Sequence, residues 1–246
     1  MAPPKTGFDA WQDGINKAVG DAQWNTWDCE IQMAVNEYNR HLSGTTGYIH
    51  IRLDWQIIKT MLWVETGANS VEWKIKPMQI GVSGDPGLIS LLLGNEGGDL
   101  ILPPAWKGRL TMGSARTMAA HNIRAGVGYL LMRMATFEYR SVLSADSKVY
   151  EVTVKPGDSV DKIAKAHDST TEILKKLNPM ATVLRPGQIL KYQKASTQRT
   201  ITGWRPLCAT SIALRYNSMR RDPNHAKKLD FALGLVRKGK AAPCAQ

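Results

Sequence analysis

The chain has 246 residues, of which 43% are hydrophobic, so it can bury one large core or one medium and one small core. Its 32 Lys and Arg outnumber 21 Asp and Glu, and this net charge of +11 indicates a polyanionic partner, either nucleic acid or an anionic cell wall. Three cysteines, Cys29, Cys208 and Cys244, exclude a disulfide-rich scaffold and a zinc site, and leave open a single disulfide outside the cytosol.

The first 20 residues lack the apolar core of a secretory signal, and no run is apolar enough to span a bilayer. We therefore expect a protein that is made in the cytoplasm and that needs a carrier or a lysis event to reach an external substrate. Apolar residues at helical spacing predict a first helix over residues 21–42, and a brief alternation over 48–52 predicts an extended segment.

The next predicted helix carries an unusual carboxylate. Asp54 is placed to cap this helix, and Gly67 ends it. Glu65 continues its apolar stripe, although desolvating a charge is costly. The alternative is a glutamate at a helix end that points into water, which the helical pattern alone favours.

The middle of the chain contains a Gly- and Pro-rich segment over 68–110, with one short helix predicted at 88–93. Residues 118–137 are apolar nearly all round, which predicts a helix at the centre of a domain. Residues 148–194 predict a compact βααβ unit, and residues 195–203 read as a polar linker.

Helical periodicity returns after this predicted linker. Residues 207–219 predict one helix, and Asp222-Pro223 predicts the N-cap and first-turn proline of a last helix. The inner face of that last helix is predicted to consist of Leu229, Ala232, Leu233 and Val236.

Three sequence blocks share a pattern with a known superfamily. They are ETG at 65–67 with KPMQI at 76–80, NIRAGVGYL at 122–130, and ALRYN at 213–217 with DPN at 222–224. In this order they resemble the Glu-Ser and Gly-Leu-Met-Gln pair, the Asn-Ile-x-x-Gly-x-x-Tyr-Leu helix and the Tyr-Asn-Gly-Gly-x-Asp-Pro-Asn segment of goose-type lysozymes and soluble lytic transglycosylases. The resemblance implies a lysozyme-like domain that cleaves peptidoglycan.

The resemblance also implies roles for single residues. Glu65 matches the general acid/base, which donates a proton to the leaving oxygen of a glycosidic bond. Burial against apolar neighbours suits a carboxyl group for this task, because it disfavours the charged form. The positions that match the sugar groove are Met78, Gln79, Tyr129, Tyr216 and Asn217.

Each of these positions also has a structural interpretation. Met78 and Tyr129 are suited to a core, Asn217 to a helix cap and Gln79 to a surface. The chain departs from the family pattern at Lys76-Pro77, Thr66, Ser218-Met219 and His225, the last of which stands where the family often has tyrosine. These departures concern the loop geometry and the sugar subsites more than the acid.

Residues 148–194 resemble a LysM module throughout their length, with KPGDSV at 155–160, LNP at 177–179 and RPGQIL at 185–190. LysM modules bind N-acetylglucosamine-containing glycans in a groove between the first strand–helix loop and the second helix–strand loop. The alternative is a module that has kept its fold and lost its sugar affinity. The resemblance places these residues at the groove: Gly157, Asp158, Ser159, Met180, Ala181 and Thr182.

The order of the blocks predicts a mainly α lysozyme-like domain that is interrupted by a small βααβ LysM domain, α+β overall. The lysozyme-like domain is assigned to residues 1–147 and 196–246, and the LysM module to residues 148–195. Insertions succeed where the two ends of the inserted unit lie close together at the surface, as the outer strands of a βααβ unit do.

The reaction type stays open between two mechanisms. A hydrolase needs a second group that activates water, for which Asp85 is a better candidate than Asp99, although both are equally suited to turns. A lytic transglycosylase needs no such base, because the 6-hydroxyl of the sugar attacks. The His and Cys residues form no metal set, and no cofactor is predicted.

The leading hypothesis is an enzyme that cleaves the MurNAc–GlcNAc β-1,4 bond of peptidoglycan strands. It would be an antibacterial effector of a type VI secretion system or a similar apparatus, acting as a monomer in the periplasm of a target cell and blocked by an immunity protein. The alternatives are a phage endolysin or tail lysin, and a non-catalytic peptidoglycan-binding protein. Nucleic-acid binding lacks an aromatic-basic motif, and no membrane association is predicted.

Overall fold

The structure is a computed structural model that describes residues 6–83, 86–146, 148–217, 222–239 and 244. The chain divides into two compact units. The first unit combines Met1–Thr136 with Ile201–Gln246, and the second consists of Phe137–Thr200. Within the described residues, the search for a helix long and apolar enough to cross a membrane finds none.

The elements follow one another from a helical segment into a strand-containing segment and back. In chain order they are α1 (Gly7–Ala18), α2 (Asp28–Leu42), α3 (Trp55–Glu65), α4 (Gly87–Leu93), α5 (Gly98–Ile101), α6 (Met112–Thr117), α7 (Ala119–Met134), β1 (Ala135–Leu143), β2 (Tyr150–Thr153), α8 (Val160–Ala166), α9 (Thr171–Leu177), β3 (Ile189–Tyr192), β4 (Ala195–Trp204), α10 (Ala209–Arg215) and α11 (His225–Lys238).

Helix α7 is the buried centre of the first unit, as its apolar composition predicts. Two glycines let other segments approach its backbone closely. Gly126 lies against the side chain of Met78, and Gly128 lies against the hydroxyl of Tyr38, which donates to the carbonyl of Arg124 at 2.8 Å. A side chain at either glycine would meet these neighbours, so α7 fixes the positions of both.

Helix α3 is held in place at its start and along its length. The carboxylate of Asp54 caps it by accepting from the Gln56 N–H at 2.9 Å, and Gly67 follows its end with φ +72°, both as predicted. The Lys59 Nζ forms a buried ion pair of 2.7 Å with Asp28 of α2. These contacts fix the position of α3, and of Glu65 at its end, relative to α2.

Helix α11 packs along α3 and also contacts α1 and α10. The predicted inner face of α11 is confirmed, since Leu229, Ala232 and Val236 are buried and Leu233 is half-buried. This packing brings a segment from beyond residue 200 onto the helix that ends at Glu65.

One disulfide links Cys29, in the first turn of α2, to Cys244 near the C-terminus, with the two Cα atoms 5.3 Å apart. Cys208 is free and exposed. Of the possibilities that the sequence left open, the structure therefore has the single disulfide. It joins residues 215 positions apart and ties the end of the chain to the helical core.

The second unit contains a small βααβ fold of its own, as predicted. Strands β2 and β3 pair antiparallel, with Tyr150 opposite Tyr192 and their rings stacked 5.3 Å apart. Helices α8 and α9 begin at the capping residues Ser159 and Thr170. Its core consists of Val154, Ile163, Ala164, Leu174 and Leu190.

The prediction of a polar linker over 195–203 is wrong, because this segment is β4, which pairs with β1 in a two-stranded sheet. The many polar side chains of β4 are typical of a linker, although its threonines favour a β-strand. The hydroxyl oxygens of Thr136 in β1 and Thr202 in β4 lie 3.4 Å apart. Ala135 has extended geometry, so α7 ends before the predicted limit of 137.

Three other predictions differ from the structure near chain turns. Residues 21–42 are split into a 3-10 turn at Ala22–Asn25 and α2, because Asp21 caps the shorter element. The segment 48–52 is not extended but begins with a 3-10 turn at Tyr48–His50. The last helix begins after Asn224 rather than at Asp222, whose carboxylate accepts from the Asn224 N–H at 2.9 Å.

Candidate active site

Glu65 is the last residue of α3, and its side chain is only 9% exposed. The alternative of a glutamate at a helix end that points into water is therefore wrong. Thr66 leaves the helical conformation directly after it, and Gly67 then turns the chain away in the left-handed region. The carboxylate is thus held in a largely desolvated position at a helix terminus.

A titratable side chain from α11 lies against Glu65. The Nε2 of His225 lies 3.2 Å from the Oε1 of Glu65, and the histidine side chain is 4% exposed. The two atoms are close, but their angle falls outside hydrogen-bond geometry. On the other side of the ring, the Nδ2 of Asn217 lies 3.3 Å from Nδ1.

The loop that follows α3 folds back onto its end. The hydroxyl of Thr66 donates to the carbonyl of Pro77 at 2.7 Å and accepts from the Nε2 of Gln79 at 3.1 Å. Gln79 itself has φ +53°, a left-handed conformation that is rare outside glycine and is characteristic of functional loops. Thr66, which directly follows Glu65, therefore holds the side chain of Gln79 near the end of α3.

Asn122 of α7 holds the same loop from the core, a role that was not assigned from the sequence. Its Oδ1 accepts from the Met78 N–H at 2.9 Å, and its Nδ2 donates to the carbonyl of Ile80 at 3.0 Å. Met78 is fully buried against Gly126, so its side chain packs in the core rather than lining an open groove. The signal for Asn122 was its place in the second block.

The two predicted tyrosines meet beside this loop. The rings of Tyr129 and Tyr216 form an edge-to-face pair with centroids 5.4 Å apart. The hydroxyl of Tyr216 donates to the Met78 carbonyl at 2.8 Å, and both tyrosines remain partly exposed. An aromatic surface of this kind suits the stacking of a sugar ring.

The first unit therefore brings together Glu65, the Met78–Gln79 loop, the two tyrosines and Asn217, with His225 added to them. Asp85, the predicted second acid, lies outside the described residues. Asp99 is exposed in the first turn of α5, in keeping with a turn residue. In the described ranges no group of three or more His, Cys, Asp or Glu side chains is arranged to hold a metal ion.

The predicted glycan-binding residues of the second unit lie in two loops. In the first, Gly157 has φ +81°, Asp158 accepts from the Lys155 N–H at 2.7 Å, and Ser159 caps α8, so these polar side chains stabilise the loop itself.

The second loop is more open. Met180 is 92% exposed, Ala181 is half-buried and Thr182 is exposed. Met180 and Ala181 border a cavity of about 530 Å³ whose other walls include Asn178 and Ile189. Gly157, Asp158 and Ser159 of the first loop do not line this cavity. Of the two predicted loops, the second therefore provides its apolar surface.

Comparison with known proteins identifies one part of the chain. The family model of the LysM domain matches residues 152–192, within the region predicted for it. Searches of curated proteins and of solved structures returned no significant match. Residues 152–192 of this chain are a LysM domain, a peptidoglycan-binding module.

Proposed function

We propose that the first unit is a glycosidase that cleaves the MurNAc–GlcNAc β-1,4 bond of the glycan that the LysM domain binds, with Glu65 as the catalytic acid. The observation that carries the proposal is the burial of the Glu65 carboxylate beside the Met78–Gln79 loop, which contacts the other two sequence blocks through Asn122 and Tyr216. Such convergence of distant segments on one desolvated acid is typical of an active site, because the acid otherwise costs stability.

The groups around Glu65 support the chemistry of glycosidic bond cleavage. A protonated carboxyl group at Glu65 would donate to the leaving oxygen as the bond to the sugar carbon breaks. Tyr129 and Tyr216 offer an aromatic face beside the Met78–Gln79 loop, and Gln79 offers an amide that donates to the hydroxyl of Thr66. These residues bind and orient sugar, whereas Glu65 handles the proton.

The test is the replacement Glu65→Gln, which keeps the size of the side chain and removes its acid. We expect the release of soluble fragments from purified sacculi to fall by at least about 100-fold, while sedimentation with sacculi is unchanged. Glu96→Gln, at a side chain that is 51% exposed, is the matched control and should keep wild-type activity. Full activity in Glu65→Gln would contradict the proposal.

The products of the wild-type reaction determine its type. Mass spectrometry of anhydro-muramyl ends would identify a lytic transglycosylase, in which the 6-hydroxyl of the sugar attacks. Reducing ends would identify a hydrolase, in which water attacks with the help of a second group.

A second candidate function is peptidoglycan binding without cleavage, which the LysM match favours by itself. In that case the first unit would be a scaffold or a partner-binding domain. Co-sedimentation of the full chain with sacculi, with no fragments released by the wild type, would support this candidate over the glycosidase.

We also propose that the protein acts outside the cytosol, as an antibacterial effector delivered to the periplasm of a target cell. The Cys29–Cys244 disulfide supports this setting, because such bonds persist in oxidising compartments and are rare in the cytosol. Growth arrest by a periplasm-directed chain, but not by the same chain kept in the cytosol, would support it. A gene for an immunity protein beside this one would favour an effector over a phage lysin.

A further inference from the structure

The buried side chain of His225 adjoins Glu65, the partly buried side chain of Asn217 contacts the far side of its ring, and neither has a part in the chemistry described so far. We propose that His225 is a positioning residue that meets the charge developing on Glu65 during bond cleavage, and that Asn217 fixes the tautomer of His225 for this task. The inference rests on the proposed function of Glu65, and it assigns roles to a residue pair beyond the acid itself.

The separation of the two groups excludes His225 as the second member of an acid–base pair acting on the sugar. Paired catalytic groups in glycosidases stand about 5 to 9 Å apart, because a sugar carbon or a water must fit between them. The Nε2 of His225 is 3.2 Å from the Oε1 of Glu65, and its side chain is 4% exposed. His225 therefore acts through Glu65 and not on the substrate.

The amide of Asn217 determines which ring nitrogen carries the proton. Its Nδ2 is a donor and lies 3.3 Å from Nδ1, so Nδ1 is the acceptor and the proton of a neutral ring belongs on Nε2. This Nε2 proton is on the side of the ring that faces Glu65. The opposite amide orientation would present Oδ1 to the ring and favour a proton on Nδ1 instead.

A neutral ring with its proton on Nε2 suits an acid that must begin protonated. When Glu65 gives its proton to the glycosidic oxygen, the electron pair of the broken bond leaves with that oxygen, and a carboxylate remains in the buried site. The N–H dipole of His225 stabilises this carboxylate where water is scarce. An imidazolium would instead hold Glu65 ionised before the reaction and remove the acid.

The cycle closes without another reagent. The sugar cation is captured by water or by its own 6-hydroxyl, and the proton released in that step returns to Glu65. Among the described residues at the start of α11, Asp222 and Lys228 form an ion pair of 2.7 Å, which offsets the charge that Asp222 presents to His225. The charge that changes beside the ring during the reaction is therefore that of Glu65.

The kinetic test compares His225→Ala with His225→Gln on purified sacculi, with exposed His50→Ala as the control. We expect His225→Ala to lower the turnover at saturating substrate about 10- to 100-fold, as loss of one donor to a developing charge does, with the half-saturating concentration unchanged. His225→Gln should recover most of the rate, because its amide N–H occupies the region of Nε2. Wild-type turnover in His225→Ala, or no recovery in a folded His225→Gln, would overturn the inference.

The second test needs no substrate, so it separates this inference from the proposed function. Nitrogen chemical shifts of ¹⁵N-labelled histidine at neutral pH should show His225 neutral with its proton on Nε2. Asn217→Asp, which replaces the donor by an acceptor of the same shape, should place a proton on Nδ1. A proton on Nδ1 in the wild type would refute the role of Asn217, whereas an active Glu65→Gln would refute the glycosidase.

Discussion

The two units use an asparagine in the same way at very different sequence distances. In the first unit, Asn122 ties α7 to a loop 42 to 44 residues away by bonds from both ends of its amide. In the second, Asn178 ties the end of α9 to Lys191 of β3, 13 residues away, again through both ends. The short-range bonds of Asn178 belong to a motif that is recognisable from the sequence. The long-range bonds of Asn122 hold the loop of the candidate site.

This difference explains why the second unit is identified and the first is proposed. A βααβ unit of about 40 residues keeps its turns, caps and core positions in one contiguous stretch, so its pattern is dense. The candidate active site collects residues from α3, α7, the segment that follows α10, and α11, and these elements are too far apart in the sequence to form a local pattern. Substitutions that remove the asparagine hydrogen bonds, the disulfide and the Tyr216 hydrogen bond test this contrast.

The largest effect is expected for Asn122→Ala, which leaves the Met78 N–H and the carbonyls of Ile80 and Ala115 without their bonds in a fully buried place. We expect a loss of about 3 kcal/mol in the stability of the first unit, together with loss of wall cleavage. Calorimetry should show this as a shift of one thermal transition. Sacculus binding by the LysM domain should persist, and its loss would show that the units are not independent.

Removing the disulfide by Cys244→Ser should cost about 2 to 4 kcal/mol, because the closed loop restricts the unfolded chain. Thermal unfolding with and without reductant measures this effect, and the reduced wild type should match the variant. Cys208→Ser, at the free and exposed cysteine, is the control: it keeps the disulfide, so its stability should match that of the wild type and should fall by the same amount when reductant is added. A stable, reductant-insensitive wild type would contradict the link.

A smaller effect is expected for Asn178→Ala, about 1 to 2 kcal/mol, because this amide is only partly buried and water can replace some of its bonds. The loss should appear in the second unit and weaken sacculus binding. Cleavage of soluble glycan fragments by the first unit should remain at the wild-type rate. A fall in that rate would contradict the separation of the two roles.

The smallest effect is expected for Tyr216→Phe, which removes the donor to the Met78 carbonyl and keeps the ring. We expect a loss of about 1 kcal/mol and a moderate fall in cleavage, because the loop that carries Gln79 is less firmly held. Wild-type stability and activity in Tyr216→Phe would show that the hydrogen bond from Tyr216 does not hold the loop.

Much of the fold followed from local physical chemistry. The caps at Asp54 and Gly67, the apolar helix α7 and the LysM elements all depend on neighbours within a few residues. The strand β4 was missed, because its polar side chains resemble a linker and only pairing with β1 reveals it. Cys244 gave no sign of its partner, since disulfide connectivity depends on the tertiary fold.

The candidate site was only half predictable. Glu65 stood out because a carboxylate on an apolar stripe is costly, and the family resemblance added the loop and the tyrosines. His225 appeared only as a departure from the family pattern, and its contact with Glu65 depends on how α11 packs on α3. The hydrogen bonds from Asn122 to the backbone of Met78 and Ile80 could not be predicted either, because a buried amide inside a helix produces no periodic pattern in the sequence.

The Cys29–Cys244 link makes the oxidised chain a nearly closed covalent ring. A single proteolytic cut anywhere inside that ring leaves one molecule, whose pieces separate only after reduction. The ring also limits transport. A pore that threads an unfolded chain as a single strand can pass the reduced form alone, whereas a carrier that moves folded cargo can pass either. A chain that leaves the cell already oxidised must therefore travel by the second kind of route.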